Sequence, residues 1–513
     1  MKLEAQNLCE RDGIDFNHVF RYQFAASKQN LDGFMSPPFP LGGWKIYFGS
    51  GLPLVNIKDK SGKVVGVVAG ICFSDHVHAD SVTLDFLGGS GQGQVEAFSQ
   101  WVVALGGRYT VFVTIQGKVL VYTDPVGMNG LVYNRADQIV GSSPLVCVTD
   151  ELQWNDHYNK DDVLSGVSKI TLFETSDVRV RRCNPNCYLD LDKFTETRFW
   201  PLVPIEPCSQ GDIRSILEGI YERANASVAG IVDQHDCLVP VSGGMDSRLM
   251  IAMAGSSVGK VKQFFTHIFN YASRIDATIA GNICKRLQLP FVTYDKRNIE
   301  LDEAWVEEQR KIVAITTGFS APLPRETQYG LTKSLPEDHV ILRGHQTDIM
   351  RAVFLDRIQD KARTNFRWQV KRLLIVPFKK FTDEIFLKFL PQYEEWYESL
   401  PAVNEPHSID LMFLEIYYAS TIGVTFPALH HNFYMSPFNS REFIAEAMKL
   451  PKEYRKNGHA VFDFLMIQNP TLAEVPFDFE FGGKRELDDI DDILQMREMV
   501  KQRIDDTLQR GIA

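Results

Sequence analysis

Cysteine is scarce in this sequence, since 8 cysteines among 513 residues are too few for a disulfide scaffold. The one close pair, Cys183 and Cys187, is not followed by a second cysteine or histidine pair at zinc-finger spacing. We interpret it as a turn with two thiols, with structural zinc as the alternative. The chain also lacks an apolar run long enough to cross a bilayer, and its first residues carry no signal-peptide core. We therefore expect a cytoplasmic protein with no membrane partner.

An excess of positive charge is absent too. Lys and Arg total 54 against 65 Asp and Glu, and the formal net charge of −11 argues against a general nucleic-acid binder. The basic, aromatic stretch 361–390 is interpreted as the solvated face of amphipathic helices, with binding of an acidic partner as the alternative. The length exceeds what one hydrophobic core supports, so two or more domains are expected.

The chain has no Gly-x-x-x-x-Gly-Lys-Ser/Thr nucleotide-binding loop. It has instead the sequence Ser-Gly-Gly-Met-Asp-Ser at 242–247, between two apolar runs that predict a strand before it and a helix after it. Adjacent glycines let backbone N–H groups approach a ligand, and a helix N-terminus favours an anion. Ser242 and Ser247 can donate hydroxyls, and Asp246 can hold a metal ion on that anion. The simplest occupant is a polyphosphate with Mg²⁺, and the alternative is an ordinary glycine turn.

The motif at 242–247 resembles the pyrophosphate loop of the ATP pyrophosphatase superfamily, which includes asparagine synthetase and β-lactam synthetase. These enzymes cleave ATP between the α- and β-phosphates. The segment 340–348 resembles the family segment whose aspartate binds the other face of the Mg²⁺–pyrophosphate. The resemblance implies that ATP and Mg²⁺ bind here, with Asp246 and Asp348 as metal ligands. The implied nucleotide-binding residues are Ser242, Gly243, Gly244, Asp246, Ser247, Thr266, His267 and Gly344.

Two basic residues are candidates for stabilising the charge that develops during the reaction. The resembled family has a lysine near the end of the chain for this purpose, and Lys484 is the candidate here, with an exposed tail lysine as the alternative. Arg248 is the second candidate. Asp276 either faces the nucleotide or the second substrate, or caps its helix. His345, a departure from the family pattern, has no assignable role and is interpreted as a turn residue, and the role of Glu415 also stays open.

Short alternating apolar segments fill the first 200 residues, a pattern typical of antiparallel hairpins. The segments 45–48, 64–71, 109–114 and 119–122 predict strands, and 94–105 and 160–165 predict helices. The run 123–133 resembles part of the glutaminase domain of asparagine synthetase. Active domains of that type use an N-terminal cysteine whose own α-amine is the base. Lys2 stands at that position and the first cysteine is Cys9, so we expect no glutaminase activity; cleavage before Cys9 is the alternative.

Three prolines between 201 and 210 mark a linker, so the predicted domains are 1–200 and 213–513, joined by 201–212. After the linker, strands and helices alternate, which predicts a parallel sheet with right-handed crossovers. The expected class is α/β. The resemblance implies an Ntn-type αββα sandwich of antiparallel sheets for the first domain. For the second it implies an adenine-nucleotide α-hydrolase-like parallel sheet with a helical extension.

The resemblance implies an ATP-dependent ligase that adenylates a carboxylate, releases pyrophosphate and transfers the acyl group to an amine. We expect a small-molecule or peptide carboxylate and amine as partners, in specialised biosynthesis of the β-lactam synthetase or peptide-ligase kind. The alternatives are an ammonia-dependent, asparagine synthetase-like amidating enzyme, a tRNA-modifying ATP pyrophosphatase, and a non-catalytic nucleotide-binding homologue. Homodimer formation stays open. No motif in the sequence identifies the carboxylic acid substrate or the amine substrate.

Overall fold

Three β-sheets organise the chain, two before residue 200 and one after it. The computed structural model describes residues 1–74, 80–88, 93–356, 365–401, 405–481 and 497–512. The strands in chain order are β1 (Phe24–Ser27), β2 (Phe39–Leu41), β3 (Trp44–Phe48), β4 (Leu54–Asp59), β5 (Val64–Phe73), β6 (Ser81–Leu84), β7 (Gly106–Ile115), β8 (Lys118–Thr123), β9 (Val132–Asn134), β10 (Ile139–Gly141), β11 (Val180–Arg182), β12 (Cys187–Asp190), β13 (Thr195–Arg198), β14 (Cys237–Pro240), β15 (Gln263–Ile268), β16 (Phe291–Asp295), β17 (Val340–Leu342) and β18 (Phe433–Met435).

Helices occupy most of the remaining described chain. The α-helices are α1 (Glu4–Asp12), α2 (Phe16–Val19), α3 (Gln94–Val103), α4 (Lys160–Leu164), α5 (Ile213–Gln234), α6 (Met245–Ala254), α7 (Tyr271–Leu287), α8 (Glu303–Thr317), α9 (Arg325–Gln328), α10 (Val353–Asp356), α11 (Phe366–Arg372), α12 (Asp383–Glu398), α13 (Glu405–Leu411), α14 (Ala419–Ala428), α15 (Arg441–Lys449), α16 (Lys452–Lys456), α17 (His459–Gln468), α18 (Pro470–Ala473) and a last helix, Arg497–Gln509. A π-helical segment, Met412–Tyr418, joins α13 to α14. Short 3₁₀ turns include Thr347–Arg351 and Asp478–Phe481.

The first two sheets face each other. The first has the order β11-β9-β10-β1-β3-β2 and is antiparallel throughout. The second has the order β13-β12-β8-β7-β5-β4-β6 and is antiparallel except for the parallel pair β4 and β6. Phe24 of β1 and Phe112 of β7 meet edge to face at 5.5 Å between ring centroids, because alternate residues of each strand point into the space between the sheets. The predicted strands and helices of this half are confirmed, with ends that differ by up to three residues.

The third sheet is parallel, with the order β16-β15-β14-β17-β18. In chain order, β15 and β16 are added on one side of β14, and β17 and β18 are then added on its other side. In such sheets the ligand crevice lies at the carboxyl ends of the strands where this reversal occurs. The loop after β14 holds residues 241–244, and the loop after β17 holds residues 343–346. The two predicted binding segments therefore lie side by side at the reversal.

One strand of this half was not predicted, and one alternative considered for Asp276 is wrong. β18 was not predicted, because its three residues are too few to show a period of two. α7 begins at Tyr271, since the Asn270 side chain accepts a hydrogen bond from the Ser273 N–H at 2.8 Å and caps the helix. Asp276 lies inside this helix, so the prediction that it caps the helix is wrong.

A buried carboxylate connects the two halves of the chain. Glu415 is 0% exposed and accepts five hydrogen bonds at 2.7–3.0 Å. Four of them come from residues before 200 (two from Arg198, one each from Asn184 and Asn186), and the fifth comes from Trp396. Burial alone would raise the pKa of Glu415, but the charge of Arg198 and these bonds outweigh it and hold the pKa below its ordinary value. The role of Glu415 was left open by the sequence analysis, and the structure shows that this residue joins the two halves.

A second buried contact lies next to the first. The Gly107 N–H donates to the Asn439 carbonyl at 2.9 Å, and the Asn439 side chain donates to Asp124 at 2.8 Å. Arg441, 0% exposed, donates to the Thr123 carbonyl at 2.9 Å. The segment that begins α15 is thus bonded to β7 and β8 of the second sheet.

Among the described residues, one helical stretch is long and apolar enough to cross a membrane by length and composition. It is His407–Ala428, and 78% of its apolar window lies buried inside the protein.

We expect Glu415→Gln to lower the free energy of unfolding by about 3–5 kcal/mol, because it leaves the buried Arg198 without a charged partner. The folded-state pKa of Glu415 is depressed, so its contribution is present at neutral pH and is lost as the pH falls below 4.5, the ordinary glutamate value, through the folded-state pKa. Urea unfolding at neutral and acidic pH measures both effects. The control is Glu442→Gln, whose ion pair with Arg223 is exposed and should contribute at most about 1 kcal/mol. Equal losses in the two variants would contradict the assignment.

Candidate functional site

The loop between β14 and α6 is held by its own serines. The Ser247 hydroxyl accepts from the Ser242 N–H at 3.1 Å and donates to the Ser242 carbonyl at 3.0 Å. The two hydroxyl oxygens lie 3.2 Å apart, and the Gly244 N–H donates to Ser242 Oγ at 3.3 Å. The two serines predicted to contact a ligand are therefore adjacent, and they also fix the loop's shape.

A carboxylate already occupies one backbone N–H of this loop. The Gly243 N–H donates to Asp276 Oδ1 at 2.8 Å, which draws the pKa of Asp276 down, although burial raises it overall. A Cβ at Gly243 would stand 2.7 Å from Ile279 Cδ1 and 3.1 Å from Asp478 Cβ, so a larger residue would have to displace these side chains. A negatively charged oxygen thus lies against the loop in the way expected of a phosphate oxygen. Asp276 faces the loop.

Asp246 and Asp348 both form ion pairs with the same cation, the guanidinium of Arg351. Arg351 Nη2 donates to both oxygens of Asp246, at 2.8 and 2.7 Å, and to Asp348 Oδ1 at 2.5 Å. The Thr347 hydroxyl also donates to Asp246 at 2.8 Å, and the Tyr418 hydroxyl donates to Asp348. The two carboxylates are 102 positions apart in the sequence, and the sheet reversal brings them together. Arg351 was missed, although its position three residues after Asp348 in a short helical turn was a usable signal.

The donor set suits Mg²⁺. Two carboxylates that share one cation leave room for the phosphate oxygens and water that complete a Mg²⁺ shell. Their side chains are 39% and 16% exposed, so this point can be reached from solvent. A metal ion here would take the place of the guanidinium nitrogen, and Arg351 would have to turn away.

Gly344 makes a close backbone approach possible. A Cβ at this position would lie 2.7 Å from the Asp246 carbonyl oxygen and 3.0 Å from its carbon. The loop after β17 can therefore pack against the first turn of α6 only if residue 344 is glycine. Thr347 Oγ1 also lies 2.6 Å from the Gly344 carbonyl oxygen, so its one proton can be donated either to that carbonyl or to Asp246.

Thr266 and His267, two of the nucleotide-binding residues that the resemblance implies, have different surroundings. Thr266 is 6% exposed, and its hydroxyl donates to the Val241 carbonyl, which ties β15 to the loop. His267 packs against the rings of Phe265 and Tyr294, with centroids 5.2 and 5.7 Å away. Burial and the nearby charge of Arg343 lower the pKa of His267 to about 4, so its ring is neutral at physiological pH.

His345 belongs to a separate aromatic contact. Its ring centroid lies 5.9 Å from that of Tyr418 and 5.5 Å from that of Phe426. Burial, with Arg343 as a further cause, lowers its pKa to about 3. It packs beside the Asp348 cluster through Tyr418.

Arg343 is a cation that the sequence did not single out. It follows β17 directly, and its charge acts on both His267 and His345. Within the described residues its guanidinium has no hydrogen-bond or ion-pair partner, and the side chain is half-buried. Arg343 is therefore available to an anionic ligand at the carboxyl end of the sheet.

Arg248 does not occupy the predicted position. It is 0% exposed, and its guanidinium donates to the carbonyls of Leu472 (2.7 Å), Val475 (2.6 Å), Pro476 and Gly243 (3.2 Å). It also lies 3.7 Å from the centroid of the Phe477 ring. The predicted role of Arg248 in stabilising developing charge is therefore wrong. Its role is structural, because its guanidinium donates to main-chain carbonyls. Lys484 lies outside the described residues.

Comparison of the chain with protein-family models and with curated proteins finds no match.

We expect Gly344→Ala to destabilise the protein by about 1–3 kcal/mol, because the new methyl group overlaps the Asp246 backbone. Thermal or urea unfolding of the full chain measures this loss. The matched control is Gly219→Ala inside α5, where no atom lies within 4 Å of the added Cβ and a gain of about 0.5–1 kcal/mol is expected. A Gly344→Ala variant as stable as the parent would show that the two loops do not pack this closely.

Proposed function

We propose that this chain is an ATP-dependent, AMP-forming ligase that makes an amide from a carboxylate and an amine. The observation that carries the proposal is the meeting of Asp246 and Asp348 on one cation, beside the Ser-Gly-Gly loop, at the reversal of a parallel sheet. A glycine-rich loop at a helix N-terminus next to paired carboxylates matches what a metal-bound polyphosphate needs. The proposed second half is a sheet of the adenine-nucleotide α-hydrolase kind.

In the proposed reaction, the substrate carboxylate attacks the α-phosphorus of ATP, and the bond to the β-phosphate breaks. The amine then attacks the acyl carbon, and AMP and one proton leave. Mg²⁺, when bound, would neutralise charge on the departing pyrophosphate. Asp246 and Asp348 would hold it, and the loop N–H groups would orient the phosphates. Arg343 is the candidate for stabilising the negative charge of the α-phosphate or of the incoming carboxylate.

For the first half we propose an Ntn-type αββα sandwich that no longer produces ammonia. Cys9 is 1% exposed inside α1, and burial, with nearby acidic residues, raises the pKa of its thiol to about 12. A protonated, buried thiol is a poor nucleophile. This supports an amine taken from outside the chain. The acceptor is then a small molecule or peptide amine, or free ammonia, as in the asparagine-synthetase-like alternative.

A non-catalytic nucleotide-binding protein is the second candidate. Arg351 neutralises both carboxylates, and Asp276 occupies the Gly243 N–H. A site that stayed in this state would hold nucleotide weakly or without turnover. The two candidates make different predictions for pyrophosphate exchange.

The test is ATP–pyrophosphate exchange with a panel of carboxylates, together with ATP binding measured by calorimetry. We expect carboxylate-dependent exchange that Asp348→Asn lowers by about 100-fold, because charge stabilisation at the leaving pyrophosphate is lost. The control is Asp383→Asn, which is 80% exposed in an ion pair with Arg367 and should leave exchange unchanged. Binding of ATP without exchange for any acid would favour the second candidate. Absence of ATP binding would contradict both.

We expect the Cys9 thiol to resist alkylation in the folded chain at neutral pH, because it is buried and protonated below a pKa of about 12. Peptide mass spectrometry after iodoacetamide treatment measures the rate. The comparison is Cys208, a half-buried thiol, and the unfolded chain gives the upper limit. Rapid labelling of Cys9, or release of ammonia from glutamine, would contradict the loss of the glutaminase.

A further inference from the structure

Three histidines meet at a point that the proposed reaction does not use. His18 lies on α2, and His430 and His431 lie between α14 and β18. One ring nitrogen of each lies within 4.8 Å of the other two. The ring centroids are 5.0 Å apart for His18 and His430 and 3.9 Å apart for His430 and His431.

The second nitrogen of two of these rings is already engaged. His431 Nδ1 lies 3.2 Å from Glu337 Oε1, and the His430 ring bonds to the backbone of Ala428. His431 Nε2 is buried and has no hydrogen-bond partner among the described residues. An acceptor on one nitrogen fixes the tautomer and directs the lone pair of the other nitrogen outward, which is the usual arrangement of metal-binding histidines.

The electrostatic surroundings permit a cation. Burial lowers the pKa of both His430 and His431, which favours the uncharged ring. Arg21, a positive charge that acts on both rings, is paired with Asp338. Glu337 adds a negative charge beside His431.

We propose that His18, His430 and His431 bind one Zn²⁺ ion, with solvent as the fourth ligand. Tetrahedral Zn²⁺ with Zn–N bonds of about 2.0–2.1 Å needs ligand nitrogens about 3.4 Å apart, which side-chain rotation can reach from 4.8 Å. Half-burial of His18 and His431 leaves the fourth position open to water. Imidazole ligands suit zinc and its neighbours rather than Mg²⁺.

The position of the site gives it a structural role. The His431 carbonyl accepts from the Asp338 N–H at 3.0 Å, just before β17, so the site lies at the amino ends of β17 and β18. The nucleotide loop lies at their carboxyl ends. His18 belongs to the first half of the chain and the other two belong to the second. The ion would therefore cross-link the two halves, independently of the reaction proposed for the loop.

The test is titration of the chelator-treated full chain with Co²⁺, followed by visible absorption, and with Zn²⁺ in competition with a chromophoric chelator. We expect one equivalent, a tetrahedral Co²⁺ spectrum, and a Zn²⁺-dependent rise in melting temperature. His18→Ala changes a half-buried residue on a short helix and should abolish the spectrum and the shift. Glu337→Gln, which alters no ligand and is 58% exposed, should weaken Zn²⁺ binding by about 10–100-fold.

Two controls keep the result specific. His157→Ala removes an exposed histidine that pairs with Glu174 and should keep the full equivalent. A double variant of His76 and His78, which lie outside the described residues, should keep it as well. Absence of a tight equivalent in the parent overturns the proposal. So does full binding by His18→Ala, or loss of binding only when His76 and His78 are changed.

Discussion

The buried carboxylate of Glu415 is the interaction on which the arrangement of the chain depends. It gathers donors from Asn184, Asn186 and Arg198 in the first half and from Trp396 in the second. A buried charge is tolerable only when it is fully paired, so these segments have to meet in this one way. The π-helical segment that carries Glu415 ends with Tyr418, whose hydroxyl bonds Asp348. The contact between the halves and the candidate site therefore share one short helical segment.

The sequence predicted those parts of the site whose signal is local. The Ser-Gly-Gly loop has a strand before it and a helix after it, and Asp348 follows a short strand and a glycine turn. Residues whose role depends on tertiary contacts were not predicted. The role of Arg351 could not be predicted because its partner Asp246 lies far away in the sequence. The role of Arg343 could not be predicted because only the folded chain shows that no described residue pairs with it. The strands predicted in the first half are confirmed because alternating residues repeat with a period of two, but β1, β2 and the other short strands there were not predicted individually.

Arg248 shows why charge and proximity in sequence were misleading. It follows the loop by one residue, so it was interpreted as a group that stabilises developing charge. Its side chain instead points to the segment 472–477, whose carbonyls need donors. One sequence does not reveal which face of a ten-residue helix meets a segment that lies 224 positions later. For the same reason the helix cap at Asn270 was not predicted. Because α7 begins there, Asp276 lies inside the helix and accepts the Gly243 N–H of the loop.

Arg351 gives the paired carboxylates a counter-ion of their own. Two aspartates without such a partner repel each other and attract divalent cations. Here an incoming ion must first displace a guanidinium, and the displaced guanidinium needs a new acceptor. Free Mg²⁺ brings no such acceptor, whereas a metal ion that arrives with a polyphosphate brings several. The cluster would thus favour a metal ion that arrives with nucleotide over the metal ion alone.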